Sequence, residues 1–307
     1  MPPSLRPYVD VTDYWRVRQF LREVFLLNDR REFSWSLLRW DYWRWHIQEN
    51  IFNLNLAEAV FVWEHAGEIA AVLNADNPRE AFLQVHPRFR SSALEAEMLD
   101  VAEQHIAGSD QEGRRTLRVW ADSNDQARQA LVRERGYVRG DWPEHQRRRP
   151  VAQPIPETPV PAGYVVRALG DEAELPARSW ASWKAFHPDE PDDKYEGWEW
   201  YRNVQRVPLY RRDLDIVAAL PTGEIVAFCT VWLDDVTRTV VFEPVGTHPE
   251  HQKRGLGRAV MAEGLRRAAR LGATLATVGS YSAPAHALYH GMGFSEYDLS
   301  EPWTRVW

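Results

Sequence analysis

The stretch Gln252-Lys-Arg-Gly-Leu-Gly-Arg258 sets three cationic side chains, Lys253, Arg254 and Arg258, around a Gly-x-Gly at the start of an amphipathic run. The first backbone N–H groups of a helix lack intrahelical partners and carry about half a positive charge. Gly255 and Gly257 let that backbone come close to a ligand with no Cβ in the way. The chemistry this supports is capture of a phosphate or pyrophosphate. It is not a dinucleotide fingerprint, which needs a third glycine or alanine where Val260 stands, nor a P-loop, since no Gly-Lys-Ser/Thr follows.

Other reactive types have blander readings. Cys229 is the only cysteine and lies in the apolar run "IVAFCTVW", so it reads as a small core residue and excludes an internal disulfide. Asp234 and Asp235 read as solvated turn residues. His286 and His290 have the four-residue spacing of a zinc pair, but no H-E-x-x-H is formed, and no metal is expected.

The elements that must position these groups follow from patterning. "VVFEPVGTHP" reads as a strand, and Pro244, which cannot donate to a ladder, marks a bulge or an unpaired edge in it. "GRAVMAEGLRRAARLG" reads as a helix stopped at Gly272. The same order occurs twice. "FVWEHAGEIAAVLNA" (61–75) and "IVAALPTGEIVAFCTVW" (216–232) are each a hairpin around Gly-Glu-Ile. Each is followed by a strand ending in His-Pro, a helix, a strand, a helix and a closing strand. Helical stretches, 15–27 and 171–186, precede the two hairpins. This is an internal duplication. The prolines of "RRRPVAQPIPETPVPAG" argue for an extended linker between the halves. The expected domains are 1–150 and 163–307, joined by 151–162, each a mixed α/β sheet flanked by helices.

Bulk properties narrow the partners. A net charge of -7 argues against nucleic acid and is compatible with a cationic acceptor such as an amine. No apolar run approaches the about 20 residues of a membrane helix, and "MPPSLRPYVDVTDYW" has no signal-peptide pattern, so a cytoplasmic location is expected. The tryptophans crowded into 33–47 and 195–203 read as core or seam, although Trp198, Trp200 and Tyr201 could line an acceptor pocket.

Gln252-Lys-Arg-Gly-Leu-Gly257 matches the Q/R-x-x-G-x-G/A motif of the GNAT N-acetyltransferases, and "ALYHGMGF" resembles that family's second signature. The resemblance is strongest from Ile216 to Tyr297 and reaches the first half only through the repeat. It implies two tandem acyl-CoA N-acyltransferase domains and acetyl-CoA as co-substrate, with no metal. The pyrophosphate would rest on the loop Gln252, Lys253, Arg254, Gly255, Leu256, Gly257 and Arg258. The pantetheine arm would pair with the backbone of Val245, Gly246 and Thr247. Tyr289 would protonate the departing thiolate, with Glu243 as base. Seven residues before the tyrosine the family often has asparagine; here stands Ser282, whose shorter hydroxyl can also donate and accept. Set on the His-Pro pairs, Gly255 corresponds to Ala93 and Gly257 to Glu95, and Tyr289 corresponds to Val132. The first half has lost both cradle and acid and reads as a degenerate domain expected to hold no CoA. The expected activity is acetyl transfer to a primary amine of a small molecule by a monomer or homodimer. A mycothiol-synthase-like acyltransferase or a non-catalytic acyl-CoA sensor is the alternative.

Overall fold

The computed structural model describes residues 2–307, and the chain divides into two compact units. The first comprises residues up to His145 together with Asp298–Trp307. Its elements run β1 (Ser4–Pro7), α1 (Val11–Leu27), α2 (Leu37–Tyr42), a π-helical stretch (Trp43–Phe52), α3 (Leu56–Ala59), β2 (Val60–His65), β3 (Glu68–Asn77), β4 (Glu80–Val85), α4 (Ser92–His105), β5 (Gly108–Ser109), β6 (Arg115–Asp122), α5 (Gln126–Glu134) and β7 (Val138–Arg139); β8 (Glu144–Pro150) follows and lies in the second unit from Gln146 on. The β2–β3 hairpin turns through Ala66 and Gly67, both left-handed, as a tight two-residue turn requires. Alternate residues of this sheet feed two cores. Phe61, Trp63, Leu73 and Leu83 pack with α4 residues Leu94, Met98 and Leu99. Val60, Val62, Val72 and Phe82 pack with α1 and with Trp35, Trp40 and Trp43, so the first tryptophan cluster is core.

The second unit, Gln146–Tyr297, contains β9 (Val165–Ala168), α6 (Leu175–Phe186), α7 (Tyr201–Gln205), β10 (Asp215–Ala219), β11 (Ile225–Asp234), β12 (Thr239–Thr247), α8 (Leu256–Arg270), β13 (Leu275–Ser280) and α9 (Ala283–Gly291). Its strands are ordered β8-β13-β12-β11-β10-β9; the β9–β10, β10–β11 and β11–β12 pairs are antiparallel and the β12–β13 pair is parallel. One face packs on α8 through Cys229, Val231, Val240 and Phe242 against Val260, Met261 and Leu265. The other face meets α6, where Phe228 lies edge-on to Phe186. α8 stops at Gly272, whose φ of +81° only glycine adopts readily.

Two features differ from the expected partition at 150 and 163. The closing strands are exchanged: β14 (Glu296–Val306) completes the first unit's sheet, with Ser300–Val306 antiparallel to Asp122–Thr116 of β6. β8 stands beside β13. A pattern of strand-like residues marks that a strand exists, not which sheet receives it. The proline-rich segment is also no free tether. Val151 is buried in the second core and donates to the Thr274 carbonyl, and Arg149 donates to the carbonyls of Gln153 and Pro154.

Close packing of α8 on the sheet depends on Gly264. A Cβ there would lie 2.8 Å from Val231 Cγ2 and 2.9 Å from Phe242 Cε1. Gly264→Val is expected to cost about 1–3 kcal/mol or more through overpacking. Urea unfolding followed by circular dichroism measures the loss.

Candidate active site

The sequence of β12 breaks its own ladder. Cys229 pairs with Val245 and Val231 with Phe242, so Glu243 and Pro244 together face the single residue Thr230. This is a β-bulge at the proline. On the other edge, β12 pairs with β13 only through Thr239, Val240 and Val241. Val245, Gly246 and Thr247 keep their partners on β11, while their edge toward β13 lies past the end of that ladder. Backbone donors and acceptors there face the gap between two diverging strands, where an amide-rich chain could pair with them. Trp232 fixes the bulge by donating its indole N–H to the Glu243 carbonyl, and the Glu243 side chain is exposed. Gly246 is required in this strand, because a Cβ would collide with the Phe228 ring and sit 3.0 Å from Ala185 Cβ.

Beyond the strand the chain turns through a short 3-10 segment and enters α8. Lys253 and Gly255 are left-handed (φ 60° and 84°), and Gly255 is the N-cap. A glycine cap has no side chain to satisfy the first-turn amides, so α8 opens with its N–H groups uncapped. Gln252, Lys253, Arg254, Gly255 and Arg258 are exposed, and Leu256 is buried beneath them. Arg254 is held by donating to the Tyr164 hydroxyl and the Glu250 carbonyl, and Arg258 by donating to the Gly291 carbonyl. This is a cationic, amide-lined surface fit for an anion.

Tyr289 is buried on α9, yet among the described residues its hydroxyl has no hydrogen-bond partner. Burial raises its pKa, and the Cys229 thiol and Glu243 carboxylate raise it further. The phenol therefore holds its proton throughout the range in which an amine is acetylated. Ser282 is the N-cap of α9 and accepts from the Ala285 N–H, so its own proton is free to point elsewhere. Cys229 is fully buried, with its pKa pushed up by burial, which suits a core residue.

Of the three aromatic residues expected at an acceptor pocket, Tyr201 is placed otherwise. It is 2% exposed and donates to Asp215, which also accepts from Tyr210, Thr230 and the buried Arg178. Trp198 and Trp200 are half-buried. The sequence reading did not find this ionic cluster, because its members lie on four separate elements and the loop after α7. It also missed His248, Glu250 and His251, whose ligand atoms lie within 4.8 Å of one another. His248 Nδ1 accepts from the Glu250 N–H, and the Tyr164 hydroxyl, which accepts from Arg254, lies 2.9 Å from His251 Nδ1.

Comparison with known proteins bears on this arrangement directly. Residues 174–294 match the family model described as the Acetyltransferase (GNAT) family. This match spans most of the second unit, which is similar there to the GNAT acetyltransferases. Curated relatives of the chain include a mycothiol acetyltransferase of Nocardioides sp., 29% identical over 261 residues that cover 78% of this chain and 83% of that one. Another, from Streptomyces bingchenggensis, is 32% identical over 61% of this chain and 62% of its own length. Two solved structures share the fold over 99% of the chain at a TM-score of 0.67. They are a GCN5-related N-acetyltransferase from Sphaerobacter thermophilus (18% identical, 95% of that chain) and a tandem GNAT protein from the clavulanic acid biosynthesis pathway (17%, 98%).

The first unit supplies an internal comparison. The buried residues Leu94, Met98, Leu99 and Ala102 of α4 match Leu256, Val260, Met261 and Gly264 of α8, which supports the register set on the His-Pro pairs. The left-handed loop, however, is absent. α4 begins at Ser92, so Ala93 lies within its first turn, and the Ser91 hydroxyl caps the helix by accepting from the Leu94 N–H. Glu95, in the place of Gly257, is 3% exposed and pairs with Arg90 (2.5 Å) and Arg128 (3.1 Å). Asp125, which caps α5 as Ser282 caps α9, accepts two bonds from Arg90. The helix N-terminus that stands open in the second unit is filled in the first by the chain's own hydroxyl and carboxylates.

Burial favours a neutral Glu95, but Arg128 and Arg90 outweigh it and hold the carboxyl below its usual range. Its contribution to stability is therefore present above the unfolded pKa of about 4.3 and is lost as pH falls through the lower folded value. Glu95→Ala is expected to cost about 3–5 kcal/mol at pH 7. Chemical denaturation at several pH values should show this gap closing below about pH 4. A pH-independent gap contradicts the ion-pair account.

Proposed function

We propose that the second unit transfers the acetyl group of acetyl-CoA to a primary amine of a small molecule. The observation that carries this reading is the uncapped α8 N-terminus at the end of the splayed β12. An acyl donor with a pyrophosphate and an amide-bearing arm matches both parts. The amides of Gln252 to Arg258, with Lys253, Arg254 and Arg258, receive the pyrophosphate. The open edge of Val245, Gly246 and Thr247 pairs with the pantetheine, and Ser282 adds a donor.

In the reaction the amine nitrogen forms a bond to the acetyl carbon and the carbon–sulfur bond breaks. Glu243, directly or through water, removes the ammonium proton. The backbone amides of the bulged strand stabilise the oxyanion. Tyr289 gives its proton to the departing thiolate. Its unpartnered hydroxyl and raised pKa suit a donor that must remain neutral until sulfur carries charge.

The first unit, closed by Glu95, Arg90, Arg128 and Asp125, supports the second and binds no acetyl-CoA in this reading. The relatives named as mycothiol acetyltransferases make a mycothiol-related amine the first acceptor to assay. No described helix is long and apolar enough to cross a membrane.

Thiol release from acetyl-CoA over an amine panel tests the proposal. Tyr289→Phe and Glu243→Gln are each expected to lower kcat by about 10²–10⁴-fold while the KM for acetyl-CoA stays near wild type. With wild type, no alkaline fall in rate from Tyr289 should occur below about pH 10, the ordinary phenol value. CoA binding without turnover of any amine, together with an unchanged Tyr289→Phe variant, would instead indicate a sensor.

A further inference from the structure

The first unit's counterpart of the cofactor cleft has not collapsed. A cavity of about 230 Å³ remains there, between the end of β4, the start of α5 and the segment that follows α1. Val85 and Pro87 in its wall stand where Thr247 and Pro249 stand in the second unit, and Arg90 and Asp125 stand where Gln252 and Ser282 stand. The cavity thus occupies the cofactor position of the repeat with different chemistry around it.

The charges around it are matched. Arg90 faces Glu95 and Asp125, and Arg128 faces Glu95, at 2.5–3.1 Å. A little further out, Arg31 pairs with Asp298 at 2.6 Å, and Asp122 adds a carboxyl whose pKa burial raises. An anion would have to displace a carboxylate, and a cation a guanidinium. Three polar groups in the wall have unused capacity. Among the described residues, the Asn28 amide and the Ser34 hydroxyl have no hydrogen-bond partner, although Ser34 is buried. Asn124 spends its N–H groups on Asp122 and Asp298 and leaves its Oδ1 unused. Phe33 adds an aromatic surface.

Ser34 is buried, Asn28 half-buried and Asn124 exposed, and groups with open donor and acceptor capacity lining one cavity suit a ligand that supplies both. Hydroxyl groups donate and accept at once. The volume lies below the about 300–1,000 Å³ of pockets for drug-sized molecules. We propose that this cavity is a binding site for a small, uncharged polyhydroxylated molecule of hexose size or less, held by Asn28, Ser34 and Asn124 against Phe33. The old cofactor cleft has exchanged an open, cationic floor for a neutral one and keeps a ligand of a different class.

Saturation-transfer NMR on the full chain tests this with glucose and glycerol as probes and inorganic phosphate and tetramethylammonium as charged controls. Glucose is expected to bind saturably, and the two ions not to compete with it. Ser34→Phe, which fills the cavity, should weaken glucose by at least about tenfold. Asn28→Ala, a smaller change at a half-buried cap, should weaken it as well and covers the case in which Ser34→Phe does not fold. Absence of saturable binding to glucose and glycerol overturns the proposal. So does glucose binding that neither variant alters, or competition by phosphate. Acetyl-CoA turnover by the second unit is read separately and is expected to be unaffected by Asn28→Ala, so failure here is distinct from failure of the catalytic assignment.

Discussion

β12 and β13 run together for three residue pairs and then part. That short ladder is the constraint on which the chemistry of the second unit depends. Up to Val241 the strands satisfy one another. Beyond it the bulge at Glu243–Pro244 and the steric need for Gly246 keep β12 bound to β11 while its other edge stays open. Had the ladder continued, its backbone groups would be spent within the protein, and α8 would begin over a closed sheet. Because it stops, an edge that can pair with amides, an uncapped helix N-terminus, an exposed carboxylate and a buried phenol occur within one segment of the fold.

The duplication shows how little must change to close such a site. Both units keep the strand, the His-Pro turn, the helix register and the second helix with its Gly-aromatic end. In the second unit Gly255 leaves the α8 amides uncapped; in the first, Ser91 satisfies an α4 amide itself. Gly257 leaves room, and Glu95 brings a carboxylate that two arginines neutralise in place. The phenol becomes Val132, fully buried in the core. These substitutions convert a surface that needs a ligand into one satisfied internally at the anion end, while the cavity beside it persists.

Much of this was legible in the sequence because it is local. Gly-Leu-Gly before a helix, Pro244 in a strand, Gly272 at a helix end and the two Gly-Glu-Ile hairpins each act through a few neighbouring residues, and the structure has the corresponding elements. What was not legible depends on distant partners. The destination of β14 is decided by which sheet offers an open edge. The ion-pair cluster of Arg178 and Asp215 joins residues 37 apart and claims Tyr201, which as a sequence feature was equally suited to a pocket wall. α4 starts at Ser92, two residues ahead of where α8 starts in the repeat. The burial of Glu95 between two arginines, and so its structural role, could not be seen without their positions.

The account turns on the α8 cradle holding the pyrophosphate of acetyl-CoA in the second unit only. Isothermal titration of CoA into wild type and Gly257→Glu tests it most directly. A Cβ at Gly257 meets Leu288 no closer than 3.4 Å, and an acidic residue in the first turn favours a helix, so the variant should fold. A carboxylate about 4 Å from the pyrophosphate costs about 4 kcal/mol at an effective dielectric of 20. The account predicts one CoA per chain in wild type and at least about hundredfold weaker binding in the variant. Undiminished affinity in Gly257→Glu, or two CoA per chain in wild type, would contradict it.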